Sequence, residues 1–112
     1  MFSHERLDCY QCALQFAQLS FNELSSSRRG NADLADQLKR ATTSILLNIA
    51  EGAGKTTLKE QARFYAIARG SAMECAAVLD VLCLQGVVNA EAVQRAKLIL
   101  ERVVAMLSRM AR

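Results

Sequence analysis

An all-α, antiparallel up-down-up-down four-helix bundle is the fold this sequence predicts, and three observations carry the prediction. Apolar residues recur at steps of three and four in four separate runs. The 112 residues include no Pro and only 5 Gly, and strand formers are sparse beside Ala, Leu and Gln, a balance that favours helix. The connections between the runs are short, which makes consecutive helices antiparallel neighbours. With 52% apolar and 22% charged residues, the chain can build one core, so a single domain over residues 1–112 is expected.

The first helix is expected at about 5–25, on the run Leu7, Tyr10, Leu14, Ala17, Phe21 and Leu24, closed by a polar loop ending at Gly30. The second, about 32–51, follows Leu34, Leu38, Ala41, Ile45 and Ile49. Asn31 is its expected cap, and Asp33 stands where the helix dipole favours a negative charge. The third, about 57–85, follows Leu58, Ala62, Tyr65, Ala72, Ala76, Leu79 and Cys83. Thr57 and Glu60 form a capping-box pair at its start, and Gly86 is a natural stop. The fourth, about 90–110, follows Val93, Ala96, Leu100, Val103, Leu107 and Met110, with Asn89 as cap. Two helices carry more apolar surface than one seam uses: Cys9, Ala13, Phe16 and Leu19 on the first, and Leu98, Ile99, Val104 and Met106 on the fourth. Such a surplus makes either a wider core face or an interface.

No stretch reaches the ~20 apolar residues of a membrane span, and residues 1–8 lack the apolar core of a signal peptide, so a cytoplasmic protein without membrane contact is expected. The net charge of +3 permits an anionic partner without requiring one. Cys9 and Cys12 form a CxxC inside a helical pattern, and Cys75 and Cys83 lie two helical turns apart. All four are expected as buried, reduced thiols rather than metal ligands.

Gly52-Ala53-Gly54-Lys55-Thr56-Thr57 imitates the end of a phosphate-binding loop. However, Ile49 occupies the place of its first glycine, and the preceding segment reads as helix rather than strand. Nucleotide binding there is a distant alternative. Ala77-Val78-Leu79-Asp80, a mimic of the magnesium-binding partner motif, lies mid-helix. The single histidine, His4, is near the terminus, and the Glu-x-x-His pairs of bundle metal sites do not occur. Catalytic residues, cofactors and metals are therefore not expected. The suggestive feature is basic. Lys55, Lys59 and Arg63, at i, i+4 and i+8, form a positive ridge at the start of the third helix, to which Lys39 with Arg40, and Arg28 with Arg29, add. A ridge of this kind suits RNA or DNA, whereas a solvated, ion-paired surface is the plainer alternative.

One stretch carries a denser pattern: Gln37-Leu38-Lys39-Arg40-Ala41, Ser44-Ile45, Asn48-Ile49-Ala50-Glu51-Gly52, Gly54-Lys55, Glu60, Arg63-Phe64, Ile67-Ala68, Gly70-Ser71 and Glu74. In order and spacing this resembles the four-helix-bundle family encoded in bacterial ribosomal-RNA intervening sequences. The resemblance runs from about Leu7 to Met110. It implies a bundle that closes into a homo-oligomeric ring of five copies. It also implies kinship with the accessory protein of diversity-generating retroelements, a basic pentameric barrel that binds nucleic acid and a reverse transcriptase. The chain departs from the pattern at Leu46, where the family often has Pro, and in its lower positive charge. Read as residues, the same motif suggests structural roles. Gly70 and Ser71 among alanines would allow close helix approach, and Asn48 would bond a nearby backbone. Glu51 and Arg40, near Arg63 or Glu74, would form a buried polar network. A structural or protein-interaction module without nucleic acid is the alternative function.

Overall fold

The computed structural model describes residues 1–25 and 32–112. The expected cap Asn31 and the loop basic pair Arg28 and Arg29 lie outside the described residues. Among those described, the elements are a 3-10 turn at Ser3–Arg6, α1 at Asp8–Leu19, a π-helical extension at Ser20–Leu24, α2 at Ala32–Ala53, α3 at Leu58–Leu84 and α4 at Ala90–Met110. The four expected helices are there, their ends within two residues of expectation except in the first, which breaks into three pieces. Phe2 N–H donates to the Glu5 carboxylate at 3.1 Å and starts the 3-10 turn.

The punctuation follows the predicted chemistry. Thr57 Oγ1 accepts from Glu60 N–H at 3.2 Å. The Glu60 carboxylate then accepts from the Thr57 hydroxyl at 3.4 Å rather than from the backbone amide a full capping box uses. Asn89 Oδ1 accepts from the amides of Glu91 and Ala92. At the end of α3, Gly86 adopts φ +69, and the amides of Gly86 and Val87 return to the carbonyls of Cys83 and Leu82. That double return is the Schellman arrangement, which favours glycine at this position.

Paired contacts fix the topology. Gln37 meets Glu74 and Ser44 meets Ser71, so α2 and α3 run antiparallel. Arg69 meets Ser108 and Asp80 pairs with Lys97, so α3 and α4 do too. Cys12 approaches Ile99 and Glu23 meets Arg95, which orients α1 against α4. The helices therefore go round the bundle in chain order. Phe16, Leu38, Ile45, Ile49, Leu79, Val103 and Leu107 fill the core, none more than 1% exposed.

Across the middle of the bundle runs a buried hydroxyl relay. The wide π turn brings Ser25 N–H onto Ser20 C=O and turns both hydroxyls inward. Ser20 Oγ lies 3.2 Å from Ser25 Oγ and 2.8 Å from Thr42 Oγ1. Thr42 reaches Leu38 C=O at 2.7 Å, with Cys75 Sγ at 3.8 Å on its far side. Among the described residues, no buried side-chain polar atom lacks a partner.

Three expectations change. On α1, Cys9, Ala13 and Phe16 are core, whereas Leu14 and Phe21, assigned to the seam, are exposed. Both stripes are apolar, so periodicity alone could not choose between them. On α4, Ile99, Val104 and Met106 pack against the core and Leu98 stays exposed. Cys83 is also exposed, unlike the other three thiols, because it falls on the flank of α3 near the helix end.

Candidate nucleic-acid interface

The site begins at Gly52. It is the last buried residue of α2, and a Cβ there would stand 2.8 Å from the Tyr65 ring and 3.1 Å from Phe64 Cβ. Absence of a side chain thus lets the end of α2 lie against the start of α3, and the close contact fixes Phe64. Two cations settle on that ring. Lys55 Nζ is 5.1 Å and Arg63 Cζ 4.8 Å from its centroid, within the range of cation–π attraction.

The predicted ridge takes a different form. Lys55 lies in the turn before α3 rather than on the helix, so the i, i+4, i+8 row shortens to Lys59 and Arg63. Lys55 folds back to pair with Glu51 at 3.2 Å and reaches Arg63 only through their shared ring. Lys59 is exposed at the same end. Lys39 and Arg40, also exposed, sit more than a dozen residues up α2 from Lys55, roughly 20 Å along the axis. The structure does not bring them together with the other three.

The motif residues line the outside of the α2–α3 seam. Asn48 Nδ2 donates to Ser44 C=O at 2.9 Å, one turn back on its own helix, and Ser44 Oγ meets Ser71 Oγ at 2.7 Å. Glu51 and Glu74 are exposed, partnered by Lys55 and Gln37, so the expected buried network with Arg40 and Arg63 does not form. Gly70 is exposed, and a Cβ there meets nothing within 4 Å. The close approach expected at Gly70 occurs at Gly52 instead. The Gly54 amide bonds the carbonyls of Ala50 and Glu51, and the Lys55 amide bonds that of Gly52. These amides therefore close the end of α2 and do not point together at a phosphate.

Topology adds cations that the sequence scatters. The half of the bundle holding the α2–α3 turn also holds the ends of α1 and α4 nearest the chain termini. Arg6, Lys55, Lys59, Arg63, Arg69, Arg102, Arg109 and Arg112 fall there, eight cations against the five acids Glu5, Asp8, Glu51, Glu60 and Glu101. The described residues of the other half carry four cations, Lys39, Arg40, Arg95 and Lys97, against six acids: Glu23, Asp33, Asp36, Glu74, Asp80 and Glu91. Arg69 is aimed toward α4 by its 2.7 Å bond to Ser108 Oγ. A one-dimensional search for ridges misses Arg69, Arg109 and Arg112 because only folding places them together.

Among the described residues, no three His, Cys, Asp or Glu side chains sit close enough to hold a metal ion, and no helix is long and apolar enough to cross a membrane. Over residues 5–109 the chain matches the family described as 23S rRNA-intervening sequence protein. It belongs to that family. No individual curated protein matches it. The family match spans all four helices, so it takes in the basic end and the apolar faces alike.

Proposed function

We propose that this chain is a non-enzymatic, cytoplasmic, homo-oligomeric bundle that holds RNA or DNA at its basic end. The observation that supports the nucleic-acid part is the segregation of charge: the positive excess gathers in one half, around the Phe64 ring that Lys55 and Arg63 share. Phosphate backbones are recognised by local cation density rather than by net charge. Lys59 and Arg63 are the principal contacts with Lys55 beside them, and Lys39 and Arg40 are outlying. Support for self-association comes from α3, whose outward face is apolar. A closed ring of five, as the family resemblance implies, would multiply the basic ends.

The second reading is a protein-interaction module without nucleic acid. It is favoured by the Glu51 partner that Lys55 already has. Titration of single-stranded and duplex RNA and DNA separates the two. With three or four phosphates contacted, affinity should fall by roughly one to two orders of magnitude between 50 and 200 mM salt. Lys55→Glu, Lys59→Glu and Arg63→Glu combined should abolish binding, and Lys39→Glu with Arg40→Glu should weaken it far less. Absence of binding at low salt, or binding that survives the triple change, overturns the nucleic-acid reading.

A further inference from the structure

We propose that a cleft beside the basic end takes one unpaired nucleobase, so that the chain prefers single-stranded nucleic acid and favours bases carrying an exocyclic amine. This rests on the nucleic-acid reading of the proposed function. The cleft, about 400 Å³ in volume, lies between the N-terminal 3-10 turn and the end of α2. It is lined by His4, Leu47, Ala50, Glu51, Gly54 and Lys55. Leu47, Ala50, Glu51 and Gly54 stand at i, i+3, i+4 and i+7, one face of α2 carried a residue past its end. Leu47 is 63% exposed, so this wall offers a flat partner an uncovered apolar surface.

The other side of the cleft is aromatic and held in place. The His4 ring stacks on Phe2, with centroids 6.0 Å apart at 16°, and meets Tyr10 edge-on at 4.7 Å. Two aromatic neighbours fix the imidazole before any ligand arrives, and a preset ring is a platform on which a heteroaromatic base stacks. Glu51 supplies the polar part. Lys55 engages its Oε2 at 3.2 Å, and a carboxylate keeps acceptor capacity beyond one ion pair. Cytosine presents an amine to such an acceptor, whereas uracil presents a carbonyl at the same position and is repelled.

Lys55 joins the cleft to the basic end. It lines the cleft and also sits on the Phe64 ring that Arg63 shares. A strand whose phosphates follow Lys55, Lys59 and Arg63 therefore passes the mouth of the cleft, where a splayed base can enter. A duplex keeps its bases paired and stacked, so it can use the cations but not the cleft. The same arrangement gives Glu51 a purpose at an end where an acid otherwise weakens the attraction for phosphate.

Fluorescence anisotropy with short oligocytidine, oligouridine and duplex RNA at low salt tests this, each variant being checked by thermal melting for an intact fold. Oligocytidine should bind more tightly than duplex, and roughly tenfold more tightly than oligouridine, as one hydrogen bond to a charged acceptor supplies. Glu51→Gln should bring the cytidine-to-uridine ratio to about one, because an amide also donates to the uracil carbonyl. His4→Ala should lower the oligocytidine-to-duplex ratio by roughly tenfold through lost stacking. His4→Phe should restore that ratio, which it could not do if His4 acted by charge. Oligocytidine bound no better than oligouridine or duplex, a cytidine preference that survives Glu51→Gln, an oligocytidine-to-duplex ratio unmoved by His4→Ala, or no rescue by His4→Phe overturns the base cleft. Failure to bind any of the three RNAs overturns the nucleic-acid reading itself, a distinguishable outcome.

Discussion

α3 and α4 both run most of the length of the bundle, yet they show solvent very different surfaces. α4 exposes Glu91, Gln94, Arg95, Glu101, Arg102 and Arg109, with Leu98 as its large apolar exception. From Ala66 onward α3 exposes Ile67, Met73, Val81 and Leu84, and only Glu74 and Asp80 interrupt them with charge. A helix with one apolar stripe has one neighbour to satisfy; a helix apolar on both sides has two. One core accounts for the whole of α4. On α3 the same core accounts for the inner residues and leaves the outer ones without a purpose inside the monomer.

The sharpest contrast lies within α3 itself, between Cys75 facing in and Cys83 facing out. Burial pushes the Cys75 thiol up to about 12, helped by the charge of Glu74 and opposed by the hydrogen bond with Thr42. A thiol reagent added to the native protein should modify Cys83 first and Cys75 at least about 1,000-fold more slowly, because the inner thiol reacts only when the core opens. Comparable rates would mean that the inner face of α3 is not closed. Burial likewise lifts Cys9 to about 11. Both thiols are favoured in the neutral form when folded. Their contribution is therefore complete below the unfolded value of 9 and is lost as pH climbs from 9 through 11 to 12. Urea unfolding at stepped pH should show stability declining over that window, and a flat profile would contradict the burial.

Truncation at equal chemistry tests the comparison between helices. Leu107 on α4 is 0% exposed and Leu84 on α3 is 88% exposed. Leu107→Ala should cost about 2–5 kcal/mol through lost burial and the cavity left behind. Leu84→Ala should stay within about 0.5 kcal/mol in a monomeric background. Urea midpoints of the two variants decide it. Similar losses would show that the end of α3 is packed in solution by something other than its own bundle.

Much of this was legible in the chain, and the exceptions have physical causes. The single stripe of α4, its Asn89 cap and the Gly86 stop can each be read locally, because neighbours three or four residues apart decide them. The phase of α1 could not be read, since both Phe16 and Phe21 belong to apolar stripes and only packing chooses which goes inside. Gly70 among alanines reads as a place for close helix approach, but the spacing does not say on which side, and the structure leaves Ala66, Gly70 and Ala77 facing outward. The spacing of Lys55, Lys59 and Arg63 reads as one helical row, but Lys55 precedes the Thr57 cap and so stands in the turn rather than on the helix. The cations Arg69 and Arg109 lie 40 positions apart in the chain, and the antiparallel return of α4 carries them to one end.

Gly52 and Gly70 put the inner and outer contacts of the α2–α3 pair on the same footing, since each can be asked to accept one methyl group. At Gly52 the new carbon would meet the Tyr65 ring at 2.8 Å, and buried aromatic neighbours have little room to give. Gly52→Ala should cost about 1–3 kcal/mol by overpacking and disturb the Phe64 ring that Lys55 and Arg63 share. At Gly70 the space is open, so Gly70→Ala should raise the stability of a monomeric background such as Met73→Glu by about 0.5–1 kcal/mol through helix propensity. In the otherwise native chain the same methyl occupies the space a neighbouring helix would use, and the assembled mass should fall at a given concentration. If Gly70→Ala stabilises the chain and leaves its mass untouched, the glycine is merely tolerated there, and the outward side of α3 must owe its apolar character to a contact that does not pass over residue 70.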